Sequence, residues 1–304
     1  MNSTPDSAQT PENRLTLSSQ EVDQLLDKVE TELANDSFDR SDSQLIQQMI
    51  ECMGDTRGMT RLGFAESLGK VGEPAVLQLM EALESHPNVV VQRAAAKTLT
   101  LIEDPRSIPL LLESFIHDPD QVVRNSCIGA LARMGSQVVP DLLNIIANPD
   151  TDETAKGHAA WALAFIGIKA KEQIYQAFDS ESEDVRAAVL GAILKIAEEE
   201  PEDRAYELLI NSLKDKAVNV RSEAAAALGN LAYQPAINPL VELLRNSEPE
   251  SRKSAALALM KIKDNSAIAP LEEALSKETE PQVQQIIKLA ITQLQSQEED
   301  WDIS

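Results

Sequence analysis

Apolar residues recur along this chain on two scales. Within short segments they fall three and four residues apart, the spacing that gathers them on one face of a helix. Val22, Leu25, Leu26, Val29 and Leu33 make one such face, and Leu45, Ile46, Met49 and Ile50 make a second. From there the whole pattern repeats. A Leu or Ile stands at 68, 99, 131, 163, 193, 228, 259 and 291, at spacings of 31, 32, 32, 30, 35, 31 and 32 residues. Seven residues before each lies a long polar side chain: Arg61, Gln92, Arg124, Lys156, Arg186, Arg221, Arg252 and Gln284. Three residues after each lies another apolar one: Val71, Ile102, Met134, Ile166, Ile196, Leu231, Ile262 and Leu294. One helix pair cannot bury its own apolar face without a neighbour, so a period of this length is the mark of a stacked array. The pattern predicts an all-α chain, a right-handed α-solenoid of about eight helix pairs.

The punctuation agrees with that division. Residues 1–17 are rich in Ser, Thr, Pro, Asn and Gln without a period, and are expected to be disordered. Residues 18–40 form an N-terminal capping helix and linker, opened by Ser18 and Glu21 in capping-box spacing. A second box, Ser41 with Gln44, opens the solenoid at 41–296. Pro74, Pro109, Pro140, Pro239 and Pro270 mark the start of first helices, where a missing N–H costs little. Gly72, Gly135 and Gly167 suit the left-handed cap that ends second helices. The unit containing AEEEPEDR is about three residues longer, which predicts a longer turn. Residues 297–304 read as an acidic, frayed tail with Trp301 exposed.

Counting each aligned Leu or Ile as zero, positions −8, −4, −1, 0 and +3 are apolar or small in every unit, and predict the buried face of the second helix. Positions −6, −2, +1 and +2 point the other way, towards the concave surface on which such arrays usually bind. Early units place Glu66, Arg93, Lys97 and Arg133 there, beside Arg57 and Arg61 in the glycine-containing segment 55–69. Later units place Trp161, Leu194, Leu257, Met260 and Lys261 there, with His158 one turn from Trp161. Outward apolar residues lack a structural reason in such a helix. These twelve are therefore the candidate ligand- or partner-binding residues, and they predict a groove with an apolar floor and cationic edges. The bland alternatives are local: Trp161 filling a packing gap, and the glycines of 55–69 easing imperfect packing at a solenoid end. The arginine column is expected to be structural, a ladder to turn residues of the next unit.

Charge narrows the partners. Asp plus Glu number 50 against 27 Lys plus Arg, a net charge of −23. Nucleic acid and anionic lipid are both held by cationic contacts, so neither is expected as a partner. No run approaches the roughly 18 apolar residues of a membrane span, and the N-terminus lacks a basic and an apolar region of a secretory signal. Those features predict a cytoplasmic chain with no membrane insertion. Cys52 and Cys127 belong to no CxxC pair and read as reduced core thiols. No nucleophile elbow, phosphate loop or dinucleotide fingerprint appears. His86, His117 and His158 are followed by Pro87, Asp118 and Ala159, so no His-Glu dyad is present and no metal site is expected. The catalytic residues, if there are any, are not visible.

At DQVVRNSCIGALARMG, KGHAAWALAFIG and VNVRSEAAAALGNL the chain resembles the phycobilisome-lyase type of HEAT repeat. This is the type found in cyanobacterial E/F-type bilin lyases and in a phycobilisome-degradation factor. The likeness covers about residues 42–296 and is strongest at Arg57–Gly72 and Lys156–Gly167. It implies a HEAT-repeat protein that binds phycobiliprotein subunits, a bilin such as phycocyanobilin, or both, in chromophore attachment, detachment or phycobilisome assembly and turnover. It implies a lyase-like activity if the chain is an enzyme, no tightly bound cofactor, and a phycobiliprotein subunit or a second HEAT-repeat chain as partner. It also implies a place beside phycobilisomes at the cytoplasmic face of thylakoids. A non-catalytic scaffold or chaperone, including one for cofactor assembly outside the antenna, remains the alternative.

Overall fold

The computed structural model describes residues 17–301, with side chains to Ser296. The disorder expected of 1–17 therefore falls outside it apart from Leu17, and so does the exposure expected of Trp301. The described residues form seventeen α-helices and no strand. They divide into two compact units, one up to Val138 and one from Val139 on. The first holds α1 (Ser19–Ala34), α2 (Ser43–Cys52), α3 (Gly58–Val71), α4 (Val76–Ser85), α5 (Val89–Ile102), α6 (Ile108–His117) and α7 (Gln121–Arg133). The second holds α8 (Val139–Ala147), α9 (Glu153–Ile166), α10 (Lys171–Ala177), α11 (Glu183–Glu199) and α12 (Asp203–Ser212). It continues with α13 (Val218–Asn230), α14 (Ile237–Leu243), α15 (Pro249–Ile262), α16 (Ile268–Lys277) and α17 (Pro281–Trp301). No described helix is long and apolar enough to cross a membrane.

Helices pair as α2 with α3, α4 with α5, and so on to α16 with α17, and α1 covers α3. Each unit is an α-solenoid stack in which second helices lie side by side: α3, α5 and α7 in the first, and α9, α11, α13, α15 and α17 in the second. The eight aligned Leu and Ile residues fall one on each of these helices, and all are buried. Positions −8, −4 and −1 are buried in every one of the eight, and at +3 only Ile102 and Leu231 keep part of their surface. Small residues at −4 and −1, such as Ala95, Ala159, Ala162 and Ala258, let the helices approach while the aligned Leu supplies volume. Truncating one such residue, Leu99→Ala for example, removes roughly 2–5 kcal/mol of packing.

The turns explain the period. Ser18 and Glu21 form the expected capping box, with Glu21 Oε2 accepting from the Ser18 N–H at 2.7 Å. The second cap differs from expectation. Asp42, not Ser41, caps α2 by accepting from the Leu45 N–H at 3.0 Å, while Ser41 donates to Asp39 at 2.6 Å. A carboxylate at the cap position also meets the positive end of the helix dipole, which a serine cannot match. Between most second helices and the next first helix lies a 3-10 turn, as at Glu73–Ala75, Pro105–Ser107, Gly167–Ala170 and Gln234–Ala236. Gly72 and Gly167 enter two of these turns at φ 77° and 45° with ψ near −137° and −120°, a conformation closed to side chains with a Cβ. The extra residues at AEEEPEDR do not lengthen a turn. They lengthen α11 to 17 residues, where α9 has 14 and α13 has 13. Ala197, Glu198 and Glu199 are good helix formers that continue the register until Pro201.

The column of long polar side chains pins six of the eight second helices to the turn before them. Nη1 of Arg61, Arg124, Arg186, Arg221 and Arg252 donates to the carbonyl oxygen six residues earlier, at 2.6–2.9 Å. Gln284 does the same through Nε2 at 2.7 Å. The expected rungs to the next unit also form: Lys156 to Asp184 (2.8 Å), Arg186 to Asp215 (2.8 Å), Arg221 to Ser251 (2.9 Å) and Arg252 to Glu278 (2.7 Å). Arg124 donates to Gln121 of its own helix instead.

Candidate functional site

The outward face of the second helices carries two different chemistries. On the first unit it is polar and mixed in charge, with Leu62 and Leu101 half-exposed among Glu66, Lys70, Lys97 and Arg133. Arg133 is paired with Glu103 through Nε at 2.7 Å, whereas Glu66 and Lys97 stand exposed. Arg57, Arg61 and Arg93 have their donors engaged inside the fold. Arg57 bridges Asp55 (2.9 Å) and Asp23 (2.7 Å), tying α1 to the start of α3, and its hydrogen bond to Asp55 holds that carboxyl below its ordinary range. Arg61 binds the carbonyls of Asp55 and Thr56. Arg93 clamps Asp120 with two donors, Nε at 2.9 Å, and brings that carboxyl down to about 2. The glycines of this segment divide. A Cβ on Gly63 would come within 2.9 Å of Leu26, so α1 approaches closely there, while Gly58 meets nothing nearer than Arg61 at 3.7 Å.

On the second unit the face is apolar and recessed. Trp161 and Phe165, one turn apart on α9, are each about half exposed (51% and 52%), with ring centroids 5.6 Å apart and tilted by 32°. Together they present an aromatic surface outward. Phe165 was not singled out from the sequence, although its place four residues after Trp161 puts both on one side of the helix. His158 is half-buried on the same helix. Leu194 on α11 and Leu257 and Met260 on α15 are half-buried rather than outward. Lys261 is exposed and donates to Asn230 at 2.7 Å.

Beside Trp161 opens a groove of about 500 Å³ that runs across α9, α11 and α13. Its floor is Gly157, Ala160, Trp161, Ala164, Ala187, Ala188 and Gly191, with Ile146 of α8 at one end. Its edge holds Glu153, Lys156, Asp184, Asn219 and Glu223. Lys156 is neutralised by Asp184 at 2.8 Å and Glu153 at 3.4 Å, so this edge is acidic, not cationic as the sequence suggested. None of the cations expected from the sequence lines this groove, and its one lysine is closed on neighbouring carboxylates. Burial in the groove wall raises the Glu223 pKa although the residue keeps surface at the rim. A Cβ on Gly157 or Gly191 would have nothing within 4 Å, whereas one on Gly229 would meet the Ala258 backbone at 2.9 Å. Gly229 is therefore needed for packing of α13 on α15, and the two groove glycines are not needed for packing at all.

Cys52 and Cys127 are both buried, and burial pushes their thiols up to about 11 and about 12. His86 lies against Glu51 at 3.2 Å. Among the described residues no three His, Cys, Asp or Glu side chains converge as metal ligands.

This architecture defines the class. The HEAT-repeat family pattern matches residues 76–164 and 206–292, more than half of the chain, and the chain is a HEAT-repeat protein. Its kinship is narrower than that. The bilin biosynthesis protein MpeU of Synechococcus sp. (strain WH8020) is 35% identical over 280 residues, covering 92% of this chain and 94% of that protein. The chain belongs to the HEAT-repeat family that includes MpeU. Deoxyhypusine hydroxylase-B of Oryza sativa subsp. japonica is a more distant relative, 28% identical over 259 residues, covering 81% of this chain and 80% of that protein. Among solved structures, the complex of CpcE and CpcF of phycocyanin lyase from Nostoc sp. PCC7120 aligns with 51% of this chain and 98% of that one, at 26% identity and a TM-score of 0.44.

Proposed function

We propose that this chain handles bilins on phycobiliproteins: it holds a phycobiliprotein subunit, its chromophore, or both on the outward face of its second helices during attachment, detachment or turnover. The carrying observation is the 35% identity to a bilin biosynthesis protein over 92% of this chain and 94% of that one. The geometry is compatible, because Trp161, Phe165 and the adjacent groove offer an apolar surface that the fold itself does not use. In this proposal His158, Trp161 and Lys261 of the second unit contact the cargo, and Glu66, Lys97 and Arg133 offer a separate polar face on the first unit. Arg57, Arg61 and Arg93 keep the helices that carry them in place, and Leu194, Leu257 and Met260 back the face. The chain works in the cytoplasm beside the antenna, with a second HEAT-repeat chain as a further partner, and it holds no resident cofactor.

One observation favours a non-catalytic role within this reading. Both thiols are buried and raised, so the chain presents no cysteine nucleophile to carry a bilin covalently. It would then act as a chaperone that positions the subunit and the tetrapyrrole. The test is to mix the purified chain with phycocyanobilin, with and without apo-phycocyanin subunits, and to record absorbance and zinc-stained denaturing gels. A spectral shift with a covalent adduct on the subunit supports lyase-like action. Co-elution with the subunit and no adduct supports the chaperone form. Absence of both signals sinks the proposal.

A further inference from the structure

The groove of the second unit selects against one of the two cargoes named above. Three carboxylates, Glu153, Asp184 and Glu223, stand along it, and the lysine among them is already shared between two. A flat ligand bearing carboxylates would meet like charge there, uncompensated by any lining cation. A second copy of this chain, at net −23, would bring the wrong sign as well.

The backbone adds a steric requirement. Glycine inside a helix costs up to about 1 kcal/mol relative to alanine. Gly157 and Gly191 are helical, both have open space where a Cβ would go, and both line the groove. The fold gains nothing from their bareness, unlike that of Gly229. What gains is an object laid across the two helices beside Trp161, since small residues let another backbone approach closely.

The dimensions fit a helix. Neighbouring helix axes lie roughly 8–10 Å apart, so three second helices span about 16–20 Å. That is about 11–13 residues of an α-helix at 1.5 Å per residue, enough for apolar anchors at i, i+4 and i+7. We infer that the groove across α9, α11 and α13 seats an amphipathic helix of a partner protein, about three turns long. Its apolar stripe lies on Trp161 and the bare backbone of Gly157 and Gly191, and its Lys or Arg flanks face Glu153, Asp184 and Glu223. The inference rests on the proposed function for the partner's identity, a phycobiliprotein subunit, and assigns bilin carboxylates elsewhere.

The experiment uses the full chain carrying Trp301→Phe, which leaves Trp161 as its single tryptophan reporter. Two 14-residue helix-forming peptides with identical leucine stripes, one flanked by lysines and one by glutamates, are titrated at low and high salt. The lysine peptide is expected to shift Trp161 emission to the blue and to bind at least tenfold tighter than the glutamate peptide, with the preference shrinking in salt. The double variant Gly157→Ala, Gly191→Ala is expected to melt at a higher temperature yet bind the lysine peptide at least tenfold more weakly. Equal binding of the two peptides, no shift with either, or undiminished binding by the alanine variant overturns the inference. Apo-phycocyanin subunits, titrated in parallel, separate the two conclusions. Peptide capture without subunit capture removes the bilin-handling reading and leaves the groove, whereas a bilin adduct formed equally well by the alanine variant does the reverse.

Discussion

Replacing Glu278 by glutamine tests whether the unit-to-unit rungs hold the array together. Glu278 receives Arg252 Nε at 2.7 Å and Nη2 at 2.8 Å, and it accepts the backbone N–H groups of Thr279 and Glu280 at 2.9 Å each. Its side chain is 3% exposed, and the Arg252 hydrogen bond, the largest influence on it, holds the carboxyl at about 2 against an ordinary 4.5. Each pH unit of such depression corresponds to about 1.4 kcal/mol, so the ionised carboxylate contributes at most about 3.5 kcal/mol at neutral pH. A depressed pKa stabilises fully above the unfolded value, and the contribution fades as the pH falls from about 4.5 towards 2. In a solenoid the loss should stay with the nearest neighbours rather than spread. Native-state hydrogen exchange at pH 7 on Glu278→Gln should therefore show amides of α16 and α17 losing about 2–3 kcal/mol of protection, roughly 30- to 160-fold in rate, with α9 unchanged. The difference from the parent chain should shrink steadily below pH 4.5. A loss below about 0.5 kcal/mol, or one that persists undiminished at pH 3, would refute the reasoning.

Other expectations are simpler. Trp161→Ala should leave far-UV circular dichroism unchanged, because the ring is half exposed, while binding to apo-phycocyanin subunits or bilin falls; unchanged affinity removes Trp161 from the site. Gly167→Ala should lower the melting temperature by several degrees, since φ 45° with ψ −120° costs a side chain about 1–3 kcal/mol. Cys52 and Cys127 should resist a thiol reagent such as DTNB at pH 8 in the native chain and both react in denaturant; rapid native labelling would show that either is accessible. Arg57→Ala should raise protease cleavage around α1 without altering the later repeats, because Arg57 joins Asp23 of α1 to Asp55.

The repeating frame was legible because burial imposes one rule eight times. The aligned Leu and Ile at 68 through 291 could be read directly, and with them the stripe at −8, −4, −1 and +3. The Ser18 box and the glycine caps at 72 and 167 were legible for the same reason, since each is a local chemical requirement. What escaped depended on competition between neighbours. Ser41 and Asp42 are both good caps, and only the helix start at Ser43 decides between them. The helix of AEEEPEDR wins over a turn because three helix formers precede Pro201. The cationic edge was misjudged because a sequence counts charges without showing which are spent. Arg93 is outward in register, yet it is closed on Asp120, the acid of the next turn. Family likeness supplied what no residue could, a link to bilins, and the identity to MpeU over 280 residues supports it at that level.

The long α11 has a consequence for how this chain can change. In a tightly phased array, any inserted residue shifts everything downstream, so most junctions must keep a fixed length. At the end of α11 that constraint is relaxed. Three added residues were absorbed as one more turn of helix, and the chain then re-enters register through a local clasp. Glu202 binds Lys171 at 3.3 Å and accepts from the Tyr175 hydroxyl, while Arg204 lies 4.4 Å over the Tyr175 ring. This corner is where related chains can differ in length without remodelling the grooves on either side, and where a fluorophore or affinity handle could be grafted while cargo binding is left intact.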